Sequence, residues 1–317
     1  YTIFGGMWSV ALTDLFQSVV ILLGLTAVAW LVGDMAGGPA KVIAAASEAG
    51  KFEFWPKAGA KEWLAFLAAW MTLAIGSIPQ QDVFQRVTSA KDENTAVRGT
   101  LIGAAVYFCF AFVPIFIAYA ALVIDPNFEK LFAAEDAREI QRILPDLILA
   151  RTPVWAQVLF FGALLSAILS TASGALIAPT SLFTENVLRP FFRGMSDRQF
   201  MLLLRVILVT FTLAALLFAL NSKSTMYEMV QNAYKVTLVS CIVPLAAGIF
   251  WKRANVPGAV LSVVFGLLSW TIAEWATTDD TVLPAQLVGL AFSIVGMVLG
   301  SLVPRTSAAP ASSHVKH

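Results

Sequence analysis

Long apolar runs dominate this chain. They fall at about 9–33, 63–79, 99–124, 153–178, 200–220, 226–250, 257–275 and 283–303. Hydrocarbon offers backbone groups no water, and a helix of about 18 or more apolar residues spans it with every backbone bond closed internally. These eight runs predict an all-α, polytopic helical membrane protein with about eight transmembrane helices. The charge content agrees: 13% of the 317 residues are charged and 58% are hydrophobic, whereas soluble domains carry about 25% charged residues. The second run is short and ends at Gly76-Ser77-Ile78-Pro79, which predicts a broken helix. The fourth is interrupted by Ser166, Ser170, Thr171, Ser173 and Gly174. One transmembrane domain is expected over 1–303, followed by a polar tail over 304–317.

Lys and Arg set the orientation. One set of connections and run ends holds Arg86, Lys91, Arg98, Arg189, Arg193, Arg198, Arg205, Lys252, Arg253, Arg305 and Lys316. The opposite side has fewer basic residues and longer, more acidic loops, with Asp125, Glu129, Glu135, Asp136, Glu139, Asp146, Asp279 and Asp280. The first set is expected in the cytoplasm, with the C-terminal tail beside it, in a multi-pass protein of the cell membrane. Short surface helices are expected in the outer loops, around Lys41–Ala46 and Glu135–Leu149. The stretch Ser181–Gln199 reads as an amphipathic inner-face continuation of the fourth run.

Enzyme chemistry is not expected. The chain has no Ser/His/Asp set, no phosphate-cradling loop and no Walker motif, and no nucleic-acid partner is expected. Cys109 and Cys241 lie inside apolar runs and read as buried free thiols. His314 and His317 sit in the polar tail and form no metal-ligand cluster.

Polar groups in the apolar runs are the functional suspects. Ser170 and Thr171 follow the Ala167 carbonyl by about one turn. With local loosening of the helix these three oxygens converge on a hard cation; alternatively, they are small packing residues with hydroxyls bonded to i−4 carbonyls. Asp14 is either an interfacial carboxylate or the lining of an ion exit. Lys235 either snorkels or pairs with a carboxylate, Glu228 being a candidate, or it faces a solute cavity. The Gly76–Pro79 break marks either a binding site or an ordinary helix end.

These residues resemble the sodium:solute symporter family. Tyr1-Thr2, Gly5-Gly6-Met7 and Ser9 match the closing part of one family motif. A second motif is nearly complete in Gly248-Ile249, Arg253, Gly258-Ala259, Ser262-Val263-Val264 and Gly266, with Phe265 departing from it. Gln85-Arg86 with Ser89-Ala90-Lys91 resembles the loop after the family's broken helix, and Ala167-x-x-Ser170-Thr171 its sodium-ligand segment. The resemblance covers about residues 1–304.

It implies the inverted-repeat fold of the leucine-transporter type. Runs one to six would be core helices five to ten (residues 1–250), and runs seven and eight (257–303) two peripheral helices. The chain would then open at the second repeat, with the N-terminal core helices as missing partners upstream. The resemblance assigns Na⁺ to the Ala167 carbonyl and the Ser170 and Thr171 hydroxyls, and places Asp14 on the ion's exit route. By position it assigns solute contacts to Trp70, Leu73, Gly76, Ser77, Tyr107 and Gln231; Lys235 joins them on the physical argument alone. The expected activity is Na⁺-coupled symport of a small organic solute, an amino acid or organic carboxylate, across the bilayer. The alternative is a symporter-like sensor domain, although the short tail shows no kinase-like pattern.

Overall fold

The computed structural model describes residues 2–57, 59–128, 137–192, 194–222, 224–278 and 282–302. The tail 304–317 with both histidines, Arg193, and the acidic residues Glu129, Glu135, Asp136, Asp279 and Asp280 lie outside the described residues. All regular elements among the described residues are helical, in two compact units.

The first unit comprises residues 1–54 and 81–225. It contains α1 (Thr2–Met35), α2 (Pro39–Glu48), α4 (Gln81–Thr88), α5 (Glu93–Phe110), α6 (Phe112–Ile124), α7 (Ile143–Arg151), α8 (Val154–Phe183) and α9 (Asp197–Asn221). Helix α3 (Ala60–Ala74) belongs to the second unit. The first unit's core joins Val28 and Val32 of α1, Val42 of α2, Ile117 and Ala120 of α6, Leu147 and Ile148 of α7, and Phe160 of α8. The surface helices expected near 41–46 and 135–149 are found as α2 and as a 3-10 turn, Ala137–Arg142, leading into α7. Both bury an apolar edge in that core.

Two local features shape α1. Gly6 adopts φ 55°, ψ −149°, a conformation closed to side-chain-bearing residues, so the helix changes direction inside the opening motif. Arg205 of α9 holds the segment before the kink: its Nε donates to the Ile3 carbonyl at 3.2 Å, and its guanidinium lies 5.5 Å from the Phe4 ring centre. Further along, Gly24 lets α1 approach α8 closely, where an added Cβ would meet the Leu159 carbonyl at 3.0 Å.

The second unit comprises residues 55–80 and 226–317. It contains α3, α10 (Met226–Ser240), α11 (Ile242–Phe250), α12 (Val256–Ala276) and α13 (Ala285–Ser301). Helices α12 and α13 pack along a seam of Gly258, Gly266, Gly289, Gly296 and Gly300, where an added Cβ would strike the facing helix or α10. The buried Ser262 and Ser293 hydroxyls close that seam at 2.8 Å. Small residues bring backbones together where apolar side chains have no water to escape from.

Among the described residues, five helices are long and apolar enough to cross a membrane, and a sixth is formed if α10 and α11, bent by 43°, are one span. Helix α13, with 17 residues, and α3, with 15, supply the two shorter runs. The second run breaks as expected: α3 ends at Ala74 and turns lead to α4. The third divides into α5 and α6, and the sixth into α10 and α11 at Cys241. The fourth is continuous in structure despite its polar content, and runs on through a π turn, Thr184–Leu188, to Phe191. Cys109 and Cys241 are free but exposed, not buried as expected, because each lies on an outward-facing part of its helix.

Asp92 caps α5. The Thr95 N–H donates to its Oδ1 at 2.7 Å, and this bond, with one to the Thr95 side chain, holds the carboxyl below its ordinary 3.8. The cap's contribution is therefore complete above that value and is lost as pH falls through the lowered pKa. Asp92→Asn, which caps without charge, is expected to remove this acid-side dependence in a circular-dichroism titration. Gly296→Leu is expected to wedge α12 from α13 and destabilise the folded protein by about 1–3 kcal/mol, read as a lowered Tm in detergent.

Candidate functional site

The first cluster is built on α8. Ser170 is half-buried, and its Oγ donates to Asp14 Oδ1 of α1 at 2.6 Å. A hydroxyl has one proton and two acceptor lone pairs, so this bond leaves the Ser170 oxygen open to a cation. The neighbouring Thr171 is unusual in another way. Thr26, Thr72, Thr100, Thr180, Thr184, Thr210 and Thr212 each donate to the carbonyl four residues back. The Thr171 hydroxyl makes no such bond to the Ala167 carbonyl, and it has no side-chain hydrogen bond among the described residues. The Ala167 carbonyl and the Thr171 hydroxyl thus lie one turn apart on the same side of α8 without consuming each other. The helix is unbroken here: the expected loosening is not seen, and the Ala167 carbonyl stays in the backbone hydrogen-bond ladder.

Asp14 continues the cluster towards α4. Its Oδ2 accepts from Arg86 Nη2 at 3.3 Å, and Arg86 Nη1 donates to Asp82 Oδ2 at 3.2 Å. The Asp14 side chain is 21% exposed and that of Arg86 43%. The guanidinium lies against the bare backbone of Gly174, where a Cβ would stand 2.6 Å from Nη2. The sequence had singled out Asp14 and Ser170 separately; the structure joins them. The role of Gly174 as a seat for Arg86 had no sequence signal beyond a run of small residues. The Asp82–Arg86 pair was legible as an i, i+4 spacing.

The second cluster lies in the other unit, where α3 breaks against α10. Gly76 is buried beneath the Tyr234 carbonyl and the Leu238 side chain. The break leaves the Gly76 carbonyl without a helical donor, and Thr237 supplies one: its Oγ1 donates to Gly76 O at 2.6 Å, approaches Tyr234 O at 3.0 Å and accepts from Gln80 Nε2 at 3.2 Å. Ser77 Oγ donates to Ala74 O at 3.2 Å. Trp70 is exposed, and Leu73 and Gln231 are half-buried.

Lys235 pairs with Glu274 of α12 at 3.5 Å, and Trp270 Nε1 donates to the other Glu274 oxygen at 3.1 Å. The partner is thus a residue outside its own helix. Trp70, Leu73, Gly76, Ser77, Gln231 and Lys235 fall together in the second unit, whereas Tyr107 belongs to the first and is exposed on α5. Thr237 and Glu274 were missed by the sequence reading, since neither lies in a recognisable motif.

Among the described residues no three His, Cys, Asp or Glu side chains group as a metal site. A site made of carbonyl and hydroxyl oxygens beside one carboxylate suits a monovalent hard cation. Thr237→Val is expected to leave Gly76 O unsatisfied and to destabilise the protein by about 1–3 kcal/mol, measured by thermal unfolding; a smaller loss for Ser77→Ala would mark Thr237 as the principal support of the break.

A family model described as the sodium:solute symporter family matches residues 1–266. The high affinity choline transporter 1 of Mus musculus is 28% identical over 276 residues, covering 84% of this chain and 46% of that protein. The osmoregulated proline transporter OpuE of Bacillus subtilis is 23% identical over 324 residues, 97% of this chain and 62% of its own length. The sodium/pantothenate symporter of Haemophilus influenzae is 24% identical, covering 95% of this chain and 62% of its own. A solved structure of a Na⁺-coupled sialic acid symporter, substrate-bound and outward-open, superposes with a TM-score of 0.73 at 22% identity, covering 96% of this chain and 64% of that one. The chain spans about half the length of the choline transporters it matches.

Proposed function

The chain belongs to the sodium:solute symporter family, and on that premise we propose that the whole protein carries a small organic solute inward with Na⁺ by alternating access. The family is one of transporters, not enzymes. The observation that carries the reading is the 2.6 Å bond from Ser170 to Asp14: a carboxylate stands beside a hydroxyl of the segment that resembles the family's sodium-ligand segment. In this reading Na⁺ binds the Ala167 carbonyl and the Ser170 and Thr171 hydroxyls, and leaves past Asp14. The unspent Thr171 hydroxyl supports that assignment, since both of its lone pairs are open to a cation.

The membrane potential supplies about 2.3 kcal/mol per charge per 100 mV. Na⁺ binding raises solute affinity, and solute raises Na⁺ affinity by the same factor. The Asp14 end of α1 and the C-terminal tail face the cytoplasm, as the basic residues indicate.

For the solute we favour an amino acid or organic carboxylate, contacted in the second unit by Trp70, Leu73, Gly76, Ser77 and Gln231. Lys235 would reach it from beside Gln231, in competition with Glu274 for its charge. Relatives named for proline and pantothenate lie in this chemical range.

Uptake of labelled proline, pantothenate and choline into proteoliposomes of the whole protein, with and without a Na⁺ gradient, tests the reading. Thr171→Ala is expected to raise the Na⁺ concentration for half-maximal uptake by about tenfold or more, the scale of one lost bond to a charged group. An unchanged Na⁺ requirement would remove Thr171 from the ligand set.

A further inference from the structure

We infer that Arg86 is a tethered cation that exchanges with Na⁺ on Asp14: its guanidinium holds the carboxylate between transport events and withdraws to Asp82 when the ion arrives. This rests on the Na⁺ reading of Ser170 and Thr171 and adds a residue that the reading does not contain.

Three observations carry it. Asp14 Oδ1 is engaged by the Ser170 hydroxyl, while Oδ2 faces Arg86 at 3.3 Å. An ion stepping from Ser170 to Asp14 therefore meets a carboxylate already occupied by a positive charge. Arg86 is also held at two points by different nitrogens, Nη2 on Asp14 and Nη1 on Asp82. Releasing Asp14 leaves it with an anionic partner, so the displaced charge is not stranded. Two carboxylates and one guanidinium leave this cluster with one net negative charge, which one monovalent cation cancels. Finally, Gly174 gives the guanidinium its place, on the same helix as Ser170 and one turn beyond it.

The chemistry suits exchange. Arginine keeps its charge at any accessible pH, so it cannot vacate Asp14 by losing a proton. The Arg86–Asp14 pair is part-exposed and a single bond long, and pairs of that kind are weak enough to be displaced. Lysine at this position would offer one point charge in place of a fork able to reach both carboxylates.

The test uses the full-length protein in lipid nanodiscs, with Na⁺ titrated against K⁺ at constant ionic strength and binding read by radioactive Na⁺. Arg86→Gln is expected to tighten Na⁺ binding by about two- to fivefold, the range that part-exposed ion pairs span. In an Asp14→Asn background the same substitution is expected to change nothing. Gly174→Ala displaces the guanidinium without removing its charge and is expected to tighten Na⁺ binding in the same direction, which decides the matter if Arg86→Gln does not fold. Unchanged or weakened Na⁺ binding in Arg86→Gln overturns the exchange. So does a gain that persists with Asp14→Asn, because that is a long-range field effect. A wild-type protein without any Na⁺ response overturns the symport reading and the exchange with it, whereas a normal wild-type response beside an unresponsive Arg86→Gln overturns the exchange alone.

Discussion

A carboxylate within an apolar helix demands partners for both of its oxygens, and Asp14 draws them from two other helices. Removing a polar group from water without compensation costs about 1–3 kcal/mol by mutational measures, and more for a charge. One Asp14 oxygen takes the Ser170 proton and the other takes Arg86. Helices α1, α4 and α8 are thereby brought to one point, and Gly174 has no side chain where the guanidinium needs the space. The chemistry proposed for this unit depends on that one acid.

The second unit answers the same demand for backbone groups. A helix that stops inside a membrane protein frees carbonyls that no water reaches. At Gly76 the remedy is a side-chain hydroxyl from a neighbouring helix, and the glycine is buried because α10 must come close enough to deliver it. The Lys235–Glu274 pair follows the same rule for charge. Lys235 is only 16% exposed, and Glu274, itself bonded by Trp270, lies 3.5 Å from its amino group.

Much of this was legible in the sequence. Length and apolarity located the helices, and Gly76–Pro79 announced the break, because both rest on local chemistry. The polar residues of α8 were found for the same reason: hydroxyls are conspicuous among leucines. Pairings across helices were not legible. Nothing in the sequence around Glu274 selects Lys235, and nothing around Thr237 selects a carbonyl some 160 positions earlier, since such contacts are set by how the helices pack. Local reading also misjudged the thiols. It assigned Cys109 and Cys241 to the interior from the apolarity of their neighbours, although in a membrane helix apolar residues face outward as readily as inward.

Thr237 links two discontinuities through one atom. Its hydroxyl serves the carbonyl at the end of α3, and it stands four residues before Cys241, where α10 gives way to α11 at a bend of 43°. A hydroxyl owns a single proton. The Thr237 Oγ1 that carries it lies 2.6 Å from Gly76 O and 3.0 Å from Tyr234 O, so the end of α3 and the turn leading into the bend draw on the same donor. One side chain thus stitches the two discontinuities of this unit together, and its removal would loosen both at once.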